Sequence, residues 1–198
     1  METAVFLAAG AIAFGGGCLA RSRYERDCLV TEEYRIVSEK IHGPEKTIVF
    51  LTDLHNKEFG DQNCRLLDAV RKVKPDAVLS GGDGMVAKKG NSDVEIPRKL
   101  LTELAKEFPV YCGNGNHECR MVWKSDIYGA AYENYQAALE NAGIRYLSNG
   151  SADLDGEIRI YGLDLPKSAY LPRSGQIPEN LLKDALGEPD PGRFNLLL

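Results

Sequence analysis

The sequence is short of histidine, tryptophan and positive charge: its 198 residues hold three histidines, one tryptophan and a net charge of −5. That balance offers no basic face to displace counterions from a phosphate backbone, so broad electrostatic binding to nucleic acid is not expected. A small phosphate-bearing substrate stays open, because bound cations supply positive charge locally. Cysteine is equally sparse. Cys18, Cys28, Cys64, Cys112 and Cys119 are odd in number, include no C-x-x-C pair and show no zinc-finger spacing with histidine, which argues against a disulfide framework. There is no internal repeat and no low-complexity tract. What is present, 43% hydrophobic and 27% charged residues, is the composition of an ordinary chain with a packed core, long enough for one domain.

Only one long uncharged run occurs, AVFLAAGAIAFGGGCLA from Ala4 to Ala20. It sits at the short end of the membrane-spanning range, so residues 1–20 are expected to form a membrane anchor, although Gly15, Gly16 and Gly17 weaken a helix there. A cleaved signal peptide fits less well, since no Lys or Arg precedes the run and no clean small-x-small site follows it. Arg21, Arg23 and Arg26 come after the run and only Glu2 before it, which by the positive-inside tendency places the remainder in the cytoplasm. Residues 21–43 read as a linker with an edge strand at Tyr34–Ser38, and residues 44–198 as the domain proper, beginning after the Gly43-Pro44 break.

From there the pattern alternates. Thr47–Leu51 is a buried strand and 63–73 a helix; Ala77–Leu79 is a strand, 96–108 a helix, and Val110–Cys112 a strand. A helix over 130–142 stops at Gly143, and short strands follow around 145–147, 157–161 and 193–198. Strands alternating with amphipathic helices indicate an α/β layered fold. Tyr128, Tyr132, Tyr135 and Trp123 read as packing residues, and His42, beside Gly43-Pro44, as a surface turn residue.

Polar clusters follow the three clearest strands: Asp53-Leu54-His55, Gly82-Asp83 and Gly115-Asn116-His117-Glu118. Ligands of α/β sheets bind at the carboxyl ends of strands, so these loops are expected to converge although some thirty residues separate them. Asp-x-His and Gly-Asp alone are common turn motifs, and Gly-Asn-His-Glu after an apolar strand is a stronger one; their order and placement together carry the signal. Carboxylate oxygen, imidazole nitrogen and amide oxygen suit borderline divalent cations such as Mn²⁺, Fe or Zn.

The series resembles the first three signature blocks of the calcineurin-like metallophosphoesterases. Ile48 to Asn56 (IVFLTDLHN) is especially similar to their bacterial membrane-associated branch, with the likeness running from about Tyr34 to the end. The resemblance implies a four-layer fold, a double β-sheet sandwich flanked by helices. It further implies that Asp53 and His55 bind a first metal ion, Asp83 bridges two, Asn116 binds the second, and His117 faces the substrate phosphate. Glu118 is then a supporting residue rather than a ligand. Two divalent ions, Mn²⁺ foremost, would serve hydrolysis of a phosphomonoester or phosphodiester.

The pattern also breaks. The family has later Gly-His and Gly-His-x-His blocks, whereas no histidine follows His117 here, and Gly84 stands where the family often has leucine. The expectation is a domain incomplete at its C-terminus and, as it stands, an inactive fragment. The alternatives are a membrane-tethered, non-catalytic scaffold and, sharing the metal chemistry but lacking a basic groove, a nuclease.

Overall fold

The computed structural model describes residues 2–88, 90–170 and 177–198, with the side chains of residues 2–9, 11 and 12 outside the description. The chain divides into two compact units, Met1–Tyr34 and Arg35–Leu198. The first is built on helix α1 (Glu2–Asp27). Among the described residues no helix is long and apolar enough to cross a membrane, and much of the anchor expected over residues 1–20 lies outside the described side chains. Residues 13–20 of α1 are uncharged, include three successive glycines, and are followed by Arg21, Arg23, Glu25, Arg26 and Asp27. Residues 4–9, 11 and 12 of the expected anchor lie outside the described side chains. Helix also continues through 21–27, where a linker was expected, helped by Arg21 Nε donating to Glu25 Oε1 at 2.7 Å, one turn away.

Tyr34–Ser38 forms no strand, a second departure. Its alternation is real, but Tyr34 and Val37 are 80% and 87% exposed; a strand pattern without a neighbouring ladder leaves its backbone to water.

The second unit follows the sequence reading closely. Its elements run β1 (Ile48–Leu51), α2 (Cys64–Val73), β2 (Ala77–Ser80), α3 (Glu95–Ala105), β3 (Val110–Gly113), α4 (Asn116–Trp123), α5 (Ser125–Tyr128), α6 (Ala131–Asn141) and β4 (Arg145–Leu147). These strands form one parallel sheet in the order β1-β2-β3-β4, with Leu79 opposite Phe50 and Tyr111. β2 and β3 are buried along their whole length, which is why both read as unbroken apolar runs. A second sheet follows from β5 (Gly150–Asp153), β6 (Ile158–Gly162) and β7 (Phe194–Leu197), antiparallel between β5 and β6 and parallel between β6 and β7, with helix α7 (Leu181–Leu186) beside β5.

The sheets share one core. Ala77, Leu79, Tyr111 and Leu147 of the first sheet pack with Ile160 of the second, and Ile48, Ala152 and Leu196 join them. Because side chains alternate along a strand, Val78, Val110 and Cys112 face the other way, toward the helices. There α2 buries Leu66, Leu67 and Val70; α3 buries Leu100, Leu101 and Leu104; and α6 buries Tyr132, Tyr135 and Leu139, each an i, i+3/i+4 stripe. Burial of each large apolar side chain contributes about 1.5–3 kcal/mol. The result is the expected α/β arrangement of two facing sheets with flanking helices.

Candidate metal centre

The carboxyl ends of β1, β2 and β3 come together through backbone contact. Past β1, the chain runs alongside the β2 loop: Asp53 N–H donates to Gly82 O at 3.2 Å, His55 N–H to Asp83 O at 3.0 Å, and Asn56 N–H to Gly84 O at 2.8 Å. Asp53, His55, Asn56 and Asp83 all take positive φ, from 50° to 59°. That region is sparsely populated by non-glycine residues, and such strain clusters at functional sites. The β2 and β3 loops touch through glycine. A Cβ on Gly82, whose φ is +86°, would stand 2.0 Å from Gly115 N, so only glycine permits this approach. Gly84 has a similar reason to depart from leucine, since its Cβ would lie 2.8 Å from Pro97 Cβ of α3.

Asn116, His117 and Glu118 do not lie in an open loop, as expected from the sequence, but form the first turn of α4. Glu118 is 1% exposed, and its carboxylate accepts three backbone bonds: from Asp83 N and Gly115 N on Oε2 at 2.9 and 3.1 Å, and from Gly84 N on Oε1 at 3.2 Å. Burial pushes its carboxyl up to about 7, with the N–H bonds from Asp83 and Gly84 opposing the rise. Glu118 thus supports the site by tying two loops to a helix start.

Asp83 occupies the centre. It is 8% exposed, Oδ1 accepts from His117 N–H at 2.7 Å, and Oδ2 accepts from Asn116 Nδ2. His55 Nε2 lies 4.0 Å from Asp83 Oδ2 and 3.9 Å from Asp53 Oδ1. These separations exceed a hydrogen bond, and match the about 3–4 Å between neighbouring ligands that each stand about 2.1 Å from a shared ion. The donors around His55 therefore fit one divalent cation. Donor atoms of His55, Asp83 and His117 all lie within 4.8 Å of one another, and the His55 and His117 rings meet edge to face at 5.2 Å.

His117 differs from His55 in its hydrogen bond. Nδ1 accepts from Ala87 N–H at 3.0 Å, so the neutral ring carries its proton on Nε2 and presents a donor, not a lone pair. Burial, the largest influence, lowers its pKa; Asp83 opposes this, and Arg120 and His55 reinforce it. Asn116 is held at both ends, with Nδ2 on Asp83 and Oδ1 accepting from Arg120 Nη2 at 3.3 Å. The sequence reading thus brought together Asp53, His55, Asp83, Asn116 and His117, but missed Arg120. Its signal was the spacing of three and four residues from His117 and Asn116, visible only once α4 is read as a helix.

A second polar group reinforces the β3 loop. Asn114 Nδ2 donates to Tyr132 Oη at 3.0 Å and to Asp164 Oδ1 at 2.8 Å, while its Oδ1 accepts from Tyr146 Oη at 2.5 Å. Ser148 Oγ donates to the other oxygen of Asp164. Asp164 follows β6, so this network joins the second sheet to the site. Tyr128, Tyr132 and Tyr135 are buried as expected, and the Trp123 ring packs at a tilt against Tyr170, 5.5 Å between centroids. His42 is exposed in its turn. Cys112 and Cys119 are buried thiols pushed up to about 12 mainly by burial, hence unreactive.

The strand ends of this double-sheet α/β sandwich carry a group of side chains that could hold a metal ion. Residues 46–197 match the calcineurin-like phosphoesterase family, and the chain belongs to it. No curated protein matches the chain. The family's chemistry, hydrolysis of phosphate esters with divalent metals, agrees with the donor set described above.

Proposed function

We propose that this chain binds divalent ions, Mn²⁺ foremost and Fe or Zn as alternatives, through Asp53, His55, Asp83 and Asn116, and that it acts on a phosphomonoester or phosphodiester. The observation that carries the reading is the placing of His55 Nε2 4.0 Å from Asp83 Oδ2 and 3.9 Å from Asp53 Oδ1 at the ends of parallel strands. Asp53 and His55 would hold one ion, Asp83 would serve both, and Asn116 would serve the second. Bound ions supply a more acidic water and neutralise phosphoryl charge. His117 contributes a hydrogen bond. With Ala87 N–H facing Nδ1, protonation of that nitrogen is opposed, so Nε2–H stabilises charge developing on a phosphoryl or leaving oxygen rather than giving up a proton outright.

His55 is the one imidazole ligand in this set, and partial donor sets bind metal weakly. Turnover by residues 1–198 is therefore expected to be low. The test is release of nitrophenolate from p-nitrophenyl phosphate and bis-p-nitrophenyl phosphate with and without Mn²⁺. A metal-dependent rate above that of Asp83→Asn supports the reading; equal rates in the two proteins contradict it.

A further inference from the structure

The residue Ala87 is fully buried, and both of its backbone polar groups are satisfied by side chains of one helix. Its N–H donates to His117 Nδ1 at 3.0 Å, and its C=O accepts from Arg120 Nη1 at 2.9 Å. The other arm of the same guanidinium, Nη2, donates to Asn116 Oδ1 at 3.3 Å. Asn116, His117 and Arg120 share one face of α4, so a single fork reaches the amide beside Asp83 and the peptide that faces the imidazole. Among the described residues no carboxylate forms an ion pair with Arg120.

We propose that Arg120 is a positioning residue for His117: it pins the Ala87 backbone that selects the Nε2–H tautomer of His117. This rests on the reading of His117 as the donor that faces substrate. A neutral imidazole has one N–H, and a backbone N–H aimed at Nδ1 demands a lone pair there. The demand persists only while Ala87 stays in place. Its N–H and C=O belong to the two peptide groups flanking one Cα, so holding both fixes the residue against rotation. The excursion that begins at Met85 is tied again at Asp93, whose carbonyl accepts from Asn56 Nδ2 at 3.1 Å, but Asp93 is six residues away. Without Arg120 the Ala87 carbonyl loses its side-chain donor, and with it the tie that holds the Ala87 N–H against His117 Nδ1.

The test is a long-range proton–nitrogen NMR spectrum of the histidine rings in the metal-free full chain, at a pH about two units above the usual histidine pKa of about 6.5. His117 is assigned by comparison with His117→Asn. The unaltered protein should show His117 as a single Nε2–H tautomer, whereas in Arg120→Met the Nδ1–H form should rise to a comparable share. Arg120→Ala should behave like Arg120→Met, and added guanidinium ion should return the original pattern, which a purely structural loss would not allow. An unchanged His117 pattern in a folded Arg120→Met protein overturns the proposal. Should that variant not fold, Arg120→Lys answers the same question, since an ammonium cannot span both acceptors as the planar fork does: a mixed tautomer pattern supports the proposal and an unaltered one overturns it. The spectrum needs neither metal nor substrate. Failure of the phosphoesterase reading would instead appear as absent Mn²⁺-dependent turnover, with the tautomer result standing by itself.

Discussion

Replacing Glu118 by alanine should destabilise the domain far more than replacing it by glutamine. Its carboxylate is the acceptor for three buried N–H groups, those of Asp83, Gly84 and Gly115. Alanine leaves all three without that partner, at about 1–3 kcal/mol each. Burial of the charge has its own cost, visible in the lift of the carboxyl from 4.5 to about 7 and equivalent to about 3 kcal/mol, which alanine removes. The net loss expected for Glu118→Ala is about 3 kcal/mol. In Glu118→Gln the amide oxygen keeps the two bonds made by Oε2, only the Gly84 N–H meets a donor, and the charge disappears; the expected change is below about 1 kcal/mol. Urea unfolding followed by circular dichroism measures both variants, with the midpoint reporting stability if the slope is unchanged. Equal destabilisation by the two substitutions, or a loss below about 1 kcal/mol for alanine, would refute the account of Glu118 as the tie between the loops.

Gly82→Ala should cost about 2–5 kcal/mol, from the positive φ and from a Cβ 2.0 Å from Gly115 N, whereas Gly156→Ala, whose Cβ meets nothing within 4 Å, should stay within about 0.5 kcal/mol. Thermal unfolding of the pair separates close approach from a general cost of added methyl groups. Asp153 supplies the pH dependence. Hydrogen bonds from Arg159 and then Arg193 hold its carboxyl down to about 2, against a usual 3.8. A depressed folded-state pKa stabilises above the unfolded value, so that contribution is present above about pH 3.8 and is lost as pH falls through about 2. Acid titration of unfolding should show this portion of the slope in the unaltered protein and not in Asp153→Asn; identical profiles would count against the cluster.

Much of the site was legible because its parts stand directly after apolar strands. β2 and β3, buried on both faces, read as unbroken hydrophobic runs, so Asp83 and the Asn116-His117-Glu118 series could be placed at sheet ends from the sequence. The helices were equally plain, since Leu100, Leu101 and Leu104 of α3 keep a helical stripe. Less visible was the start of α4 immediately after Gly115, where a glycine-rich run mimics a loop. With α4 hidden, the roles of Glu118 and Arg120 were hidden too, because both depend on helical spacing. The bond from Asn114 to Asp164 spans fifty residues and joins two sheets, a relation that no local periodicity encodes. Tyr34–Ser38 shows the opposite error: its alternation satisfies a strand pattern, yet it has no ladder partner.

The central claim, that the strand-end cluster is a divalent-metal site centred on Asp83, is tested most directly by calorimetric titration of Mn²⁺ into the unaltered chain and into Asp83→Asn. Asparagine preserves the shape of Asp83 and can still accept the His117 N–H at Oδ1, while it removes the carboxylate charge and the Oδ2 acceptor that meets Asn116 Nδ2. The account predicts a saturable heat for the unaltered protein that Asp83→Asn lacks. Indistinguishable titrations, or no binding by the unaltered chain, would contradict it.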